Sequence, residues 1–267
     1  MALQKTLFYS TFCRLNEYDT THIVPIGGHL SDKKLYVLNS VIAPVPVGVI
    51  GELYIGAYAQ SDVKKLVAYS SVSHLGFVML GLFALNSAGV SGAILQMINH
   101  GLSTGALFLL VGMIYEQTHT RELKVYGGLW KITPVFGTIM LIVSLSSMGL
   151  PGLNGVVGEF TILLGAFGSQ AIGNAWYASI SALGVIMAAV YILYMFQKMF
   201  LGPQGEIVDE VKKHGHGIRD LNARELITIV PLLIFIFWIG LYPAPFFNLM
   251  APAVQHLVDS LTPLIGH

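Results

Sequence analysis

The sequence predicts an all-α polytopic membrane protein with about five transmembrane spans, the third a discontinuous helix, preceded by a short β-rich soluble fragment. Hydrophobic residues make up 54% of the 267-residue chain and charged residues only 10%, whereas charged residues make up roughly 25% of an average soluble domain. The mean hydropathy is +0.70. Polar residues concentrate before about residue 65 and in a few short loops. We therefore place residues 57–267 in the membrane and residues 1–56 outside it.

Residues 1–56 are predicted to form a soluble fragment. Apolar residues alternate with polar ones between Pro and Gly turns, most clearly over 44–56, and this pattern is typical of short β-strands. The first apolar run is too short and too polar for a signal peptide. Cys13 is the only cysteine, which excludes a disulfide within the chain and a thiolate metal cluster.

The remaining chain contains apolar runs of the length that a membrane requires. A hydrocarbon core about 30 Å thick is crossed by roughly 20 apolar residues in a helix. Runs of this kind, bounded by charges or by Gly, Pro or Asn, occur at 66–86, 91–115, 134–168, 175–200 and 224–248.

The third run is too long for one regular helix. At about 1.5 Å per residue it would extend about 52 Å. It also contains the sequence GLPGLNG at 149–155, in which Pro151 removes a backbone donor and the glycines favour non-helical backbone. We predict two half-helices joined by an unwound segment at membrane depth.

The distribution of Lys and Arg supports this count of spans. Cytoplasmic loops carry an excess of these residues because translocating them is costly. If the spans alternate in direction and the broken helix crosses once, all basic residues from Lys64 onward fall on one side of the membrane. We therefore expect the amino-terminal fragment in the cytoplasm and the carboxyl terminus outside.

Glu159 is the ionisable residue that stands out within the predicted spans. A carboxylate in hydrocarbon costs at least about 2.5 kcal/mol, so it persists only in the protein interior or a hydrated cavity. Glu159 lies just after the helix break, where freed backbone groups can also bind protons or ions through water. We predict a proton path through this residue. The alternative is a carboxylate that only caps the second half-helix.

Two histidines lie in the first and second predicted spans, His74 and His100. Imidazole gains and loses a proton near neutral pH, so either residue could relay a proton. Each alone is equally consistent with a neutral, hydrogen-bonded packing residue. Together with Glu159 they form a set of titratable groups on successive helices, which favours the proton path. No H-x-x-H motif is present, and we expect no metal site.

Several motifs in this region resemble the antiporter-like subunits of respiratory complex I, the proton-translocating NADH:quinone oxidoreductase. The likeness covers about residues 57–250, and Glu159 with the HTR sequence resembles the M-type subunit, which is mitochondrial chain 4. The motifs are DVKKLVAYSSVSHLGF at 62–77, QMINHG at 96–101, YEQTHTR at 115–121, GGLW at 127–130, GLPG at 149–152 and GEF at 158–160.

The resemblance implies a membrane subunit that translocates protons while other subunits oxidise NADH and reduce quinone. It implies that Glu159 is the terminal residue of a proton path, that His74 and His100 are its inner relay, and that Lys64 contributes at the cytoplasmic entrance. The family's first repeat is not found in this sequence, so we expect a truncated, non-catalytic subunit with no cofactor of its own. The implied partners are other membrane subunits in a cell inner membrane and lipid, with no nucleic acid.

Residues 20–56 resemble a different family, the adenylation domains of nonribosomal peptide synthetases. The likeness rests on PIGG at 25–28, KLYVLN at 34–39 and PVPVGVIGELYIG at 44–56. The fragment lacks that family's phosphate-binding loop and carboxy-terminal lysine, so no adenylation activity is expected. Alternatives for the whole chain are a subunit of a multi-component Na⁺/H⁺ antiporter or membrane-bound hydrogenase, an inactive fusion, or a membrane-tethered adenylate-forming fragment.

Overall fold

The computed structural model describes residues 60–213 and 217–265 of the chain. The predicted β-rich fragment therefore lies outside the described residues. The described backbone is helical apart from short connections, with 3₁₀ turns at Leu123–Val125 and Leu129–Lys131. Its α-helices are α1 (Val63–Phe83), α2 (Ser87–Thr118), α3 (Pro134–Ser147), α4 (Asn154–Phe167), α5 (Trp176–Phe200), α6 (Glu206–Lys213), α7 (Ala223–Leu241) and α8 (Ala244–Ile265).

Four of these helices, α1, α2, α5 and α7, are long and apolar enough to cross a membrane. The half-helices α3 and α4 have 14 residues each, and together they make a fifth, interrupted crossing. The predicted fold class, an all-α polytopic membrane protein, is confirmed for the described part of the chain.

The interruption between α3 and α4 lies where the sequence predicts it. Residues 148–153 leave the helical path, and Gly149 and Gly152 take φ angles of +79° and +92°. These angles lie in the left-handed region, which a Cβ disfavours and glycine tolerates. Leu153 precedes α4 without any side-chain cap. The discontinuous third span is confirmed.

The ends of other helices differ from the predicted boundaries because polar caps set them. α1 begins three residues earlier than predicted because Asp62 accepts the Lys65 backbone N–H at 3.0 Å. α2 begins after Asn86, which accepts the Gly89 N–H at 2.8 Å. α7 ends at Leu241, ahead of Pro243, rather than at 248, and the residues that follow form α8, which was not predicted.

The surface of the bundle is apolar and its interior contains buried polar groups. Large hydrophobic side chains are exposed on several helices, for example Phe167 on α4 at 65% and Ile227 on α7 at 73%. Asn99 and Asn154 are fully buried. This arrangement suits a lipid environment, in which polar groups are stable only when they contact one another.

Backbone and side-chain contacts gather the charged loops at one end of the bundle. The Val63 N–H donates to the Arg121 carbonyl at 2.9 Å, which joins the start of α1 to the loop after α2. The Arg219 N–H donates to Gln117 Oε1 at 2.9 Å. Asp220 accepts the first backbone N–H groups of α3. We call this the basic end; it carries Lys64, Lys65, Arg121, Lys124, Lys131, Lys198, Arg219 and Arg224.

Glycines allow α2 and α4 to pack closely, and α2 also contacts α1, α3, α7 and α8. A Cβ on Gly92 would lie 2.7 Å from the Ile162 backbone nitrogen, and one on Gly158 would lie 2.9 Å from Gln96 Cβ. Small residues have this role in many membrane proteins. Gly101 and Gly105, by contrast, face open space within the described chain.

Candidate functional site

His74 and Glu159 form a hydrogen-bonded pair in the interior of the bundle. His74 Nδ1 lies 2.8 Å from Glu159 Oε1, and each residue is only 3% exposed. A hydrogen bond between these two atoms requires a proton on one of them, so the imidazole and the carboxyl group share a proton. The structure therefore joins two residues that the sequence predicts for the same path, although they are 85 positions apart.

The helix break determines where Glu159 lies. Glu159 is in the second turn of α4, and its Oε2 faces the irregular segment. A Cβ on Gly149 would lie 2.9 Å from Glu159 Oε2, so the absence of a side chain there makes room for the carboxyl group. The hydrogen bonds of Glu159 go to side chains of α1 and α2, which is not the geometry of a residue that only caps α4.

Gln96 is a third member of this site, which sequence reasoning missed. Its Nε2 donates to Glu159 Oε1 at 3.3 Å, and its side chain is buried. The available signal was its spacing, because Gln96 precedes His100 by four residues and so lies on the same face of the predicted helix. Side chains from two helices, α1 and α2, thus meet at one carboxylate oxygen of a residue on α4.

His100 lies next to the pair without bonding to it. Its ring centroid is 5.2 Å from that of His74, and its Nδ1 is 3.1 Å from Thr104 Oγ1 on the same helix. His74, Gln96 and His100 line a small cavity with Asn99, Ser103, Ser146, Ser147 and Gly155. The cavity has room for about one water molecule.

Polar groups fasten the helix break to α2 beside this cavity. Asn99 Nδ2 donates to the Asn154 carbonyl at 2.7 Å, and Asn154 Nδ2 donates to the Asn99 carbonyl at 3.2 Å. Ser103 and Ser146 bond to each other at 2.7 Å, and both hydroxyls contact Asn154 Oδ1. These bonds fix the start of α4, and with it the position of Glu159.

Lys64 is not part of the cluster in the described part of the chain. It is exposed in the first turn of α1 at the basic end, ten positions before His74. A helix rises about 1.5 Å per residue, so the two side chains start about 15 Å apart. The structure brings together Glu159, His74 and His100 and leaves Lys64 at the surface.

Comparison with known proteins identifies a family. Residues 41–187 match the family described as "NADH:quinone oxidoreductase/Mrp antiporter, TM". NADH-quinone oxidoreductase subunit M of Rhodobacter capsulatus is 40% identical over 236 residues, which is 88% of this chain and 43% of that protein. NADH-ubiquinone oxidoreductase chain 4 of Marchantia polymorpha is 41% identical over 75% of this chain and 38% of its own length. The chain thus spans less than half of these relatives.

Solved structures give the same result at the level of the fold. A chain of respiratory complex I from Thermus thermophilus with bound NADH superposes with a TM-score of 0.69 at 32% identity, covering 83% of this chain and 44% of that one. A chain of the Mrp complex from Dietzia sp. DQ12-45-1b gives 0.68 at 20% identity, covering 81% of this chain and 47% of that one. The second likeness concerns the fold alone.

Proposed function

Because the chain belongs to the NADH:quinone oxidoreductase/Mrp antiporter transmembrane family, we propose that it is a membrane subunit of a proton-translocating NADH:quinone oxidoreductase and relays protons through Glu159, His74 and His100. The observation that carries this proposal is the buried hydrogen bond between His74 Nδ1 and Glu159 Oε1 at 2.8 Å. Buried titratable groups within membrane spans are costly and mark proton relays.

The relay works by proton exchange between neighbouring groups. A proton on His74 Nδ1 passes to Glu159 Oε1 when the N–H bond breaks and the O–H bond forms, and the reverse step restores the first state. His100 is close enough to His74 to exchange a proton through a water in the cavity. Lys64 contributes positive charge at the basic end, where protons enter.

The proposed setting follows from the relatives. The chain is a multi-pass protein of a cell inner membrane, with the basic end in the cytoplasm and the carboxyl terminus outside. Its partners are other membrane subunits of the complex, and NADH and quinone act at those other subunits. The chain spans 43% of the length of the Rhodobacter capsulatus relative.

The test is proton pumping by the assembled complex. A tagged copy of the chain should copurify with other membrane subunits of the oxidoreductase. In vesicles that contain it, Glu159→Gln should abolish most NADH-driven proton uptake, whereas Glu206→Gln, the same change at an exposed position, should have no effect.

Three outcomes would reject the proposal. Unchanged proton pumping in a complex that contains the Glu159→Gln chain would show that Glu159 does not relay protons. Absence of the chain from every membrane complex would favour the inactive fusion. Sodium-dependent proton exchange without NADH would instead favour the multi-component Na⁺/H⁺ antiporter.

A further inference from the structure

Gln96 has the contacts of a residue that serves the relay without carrying a proton itself. We propose that Gln96 is the positioning residue of the His74–Glu159 pair and keeps the Glu159 carboxyl group beside His74 whether or not that carboxyl group is protonated. The inference rests on the proposed function, because a carboxyl group that never changes its protonation state needs no such partner.

The geometry places Gln96 at the atom that would change state. Glu159 Oε1 accepts from Gln96 Nε2 at 3.3 Å and lies 2.8 Å from His74 Nδ1. Gln96 is 2% exposed, so water does not compete freely for the amide. The carboxyl group is therefore held from α1 and from α2 through the same oxygen.

An amide suits both protonation states of its neighbour. A glutamine side chain offers N–H donors on one atom and an acceptor on the other, whereas an ionised carboxylate only accepts and a protonated carboxyl group also donates. When the proton moves from His74 to Glu159 Oε1, the new O–H donates back to His74 Nδ1, and Oε1 keeps a lone pair for which Gln96 Nε2 is still a donor. Gln96 Oε1 has no hydrogen-bond partner in the described part of the chain, so it can accept the O–H when the O–H turns away from His74 and the amide rotates from donor to acceptor.

The packing leaves space for this amide. Gly158 on α4 faces Gln96, and a Cβ there would lie 2.9 Å from Gln96 Cβ and would also contact Gln96 Oε1. The titratable groups that face the amide are His74 from α1, His100 from α2 and Glu159 from α4, and α3 contributes serines. Gln96 adds no charge to this set, so it can orient the proton carriers without competing for the proton.

Infrared spectroscopy of the full chain in lipid nanodiscs tests the inference. The carboxylic C=O band of Glu159 is identified as the band that disappears in Glu159→Gln. Gln96→Met preserves the length of the side chain and removes the amide. We expect the C=O band to broaden and to shift to higher frequency in this variant, because the carboxyl group loses its hydrogen-bond partner on α2 and is held less firmly.

The matched control is Gln117→Met. Gln117 lies on the same helix about 30 Å away at a rise of about 1.5 Å per residue, at the basic end. It should leave the C=O band of Glu159 unchanged. An unchanged band in Gln96→Met, or an equal shift in both variants, would overturn the positioning role.

A second variant keeps the test decisive if Gln96→Met does not fold. Gly158→Ala keeps the Gln96 amide but displaces it, because the new Cβ would lie 2.9 Å from Gln96 Cβ. We expect the C=O band of Glu159 to shift in the same direction as in Gln96→Met. Where Gln96→Met does fold, a double-mutant cycle of thermal unfolding adds a readout: Gln96→Met and Glu159→Gln should be non-additive, whereas independent packing effects add. Additivity would overturn the proposal. Neither readout measures proton pumping. A negative result would therefore reject the positioning role of Gln96 and leave the proposed relay intact, whereas a loss of the relay would appear only in the pumping assay.

Discussion

One oxygen atom, Glu159 Oε1, is the point at which the site is assembled. It contacts His74 from α1 and Gln96 from α2, and all three side chains are buried. A buried charge is tolerable only when hydrogen bonds replace the water that it has lost, so removal of one partner leaves another polar group unsatisfied. The relay proposed for the pair and the stability of the pair therefore depend on the same contacts.

Gly149 is the residue at which a minimal change should disturb the carboxyl group. Gly149→Ala would place a methyl group 2.9 Å from Glu159 Oε2 at a φ of +79°. The left-handed backbone alone costs an L-residue roughly 1–2 kcal/mol. We expect a lower unfolding temperature in nanodiscs and a loss of proton uptake comparable to that of Glu159→Gln.

The control for this change is Gly76→Ala, because Gly76 lies in α1 with open space around it. Alanine favours a helix over glycine by about 1 kcal/mol, so this control should unfold no earlier than the wild type. Full proton uptake in Gly149→Ala would show that the carboxyl group does not need the space beside the break.

At the scale of the elements, the broken helix α3–α4 is held by contacts from two sides. Asn99 and Asn154 exchange hydrogen bonds with each other's backbone, which attaches the start of α4 to α2. At the basic end, Asp220 accepts the Val135 and Phe136 N–H groups, both at 2.8 Å. Thr133, which precedes α3, forms no side-chain cap, so this remote carboxylate supplies the missing acceptor for the helix start.

Asp220→Ala should destabilise the broken helix through loss of this cap. N-cap losses cost about 0.5–2 kcal/mol, and hydrogen exchange in the first turn of α3 should accelerate by the corresponding factor of roughly 2–30. The exposed Asp259→Ala on α8 serves as the matched control. Equal exchange rates in the two variants would contradict the capping role of Asp220.

At the scale of the whole molecule, the charged loops of separate segments meet at one end of the bundle. The opposite end joins α1 to α4, where Ser169 Oγ donates to the Ala84 carbonyl at 2.7 Å and Asn86 Nδ2 donates to the Gly165 carbonyl at 2.7 Å. The described residues of that end, 84–86 and 168–175, carry no Lys or Arg. This asymmetry predicts the direction of insertion.

Cysteine labelling in intact cells tests that direction. The chain has one cysteine, Cys13, so Cys13→Ser provides a background without thiols. In that background, a membrane-impermeant maleimide should label Gln170→Cys and should reach Lys124→Cys only after the cells are opened. Both positions are exposed. The reverse labelling pattern would invert the proposed topology.

The sequence by itself determined the helical membrane class, the discontinuous third span and the candidates Glu159, His74 and His100. Hydropathy, Gly and Pro act locally along the chain, so these features are readable without a fold. The family likeness was also readable, since it rests on short motifs. The assignment of residues 20–56 to an adenylation-like fragment stays a prediction, because those residues lie outside the described structure, although the family match begins at residue 41.

The tertiary structure decided which of these groups meet. Whether His74 reaches Glu159 depends on how closely α1, α2 and α4 pack and on the turn that the break takes. Those distances are set by contacts between residues far apart in sequence, such as Gly158 with Gln96 and Asn154 with Asn99. The roles of Gln96 and Asp220 also depend on partners from distant segments, Glu159 for Gln96 and the start of α3 for Asp220. A polar residue in a helix or loop shows its role only when its partner comes from another segment, and pairing across segments leaves no local pattern in the chain.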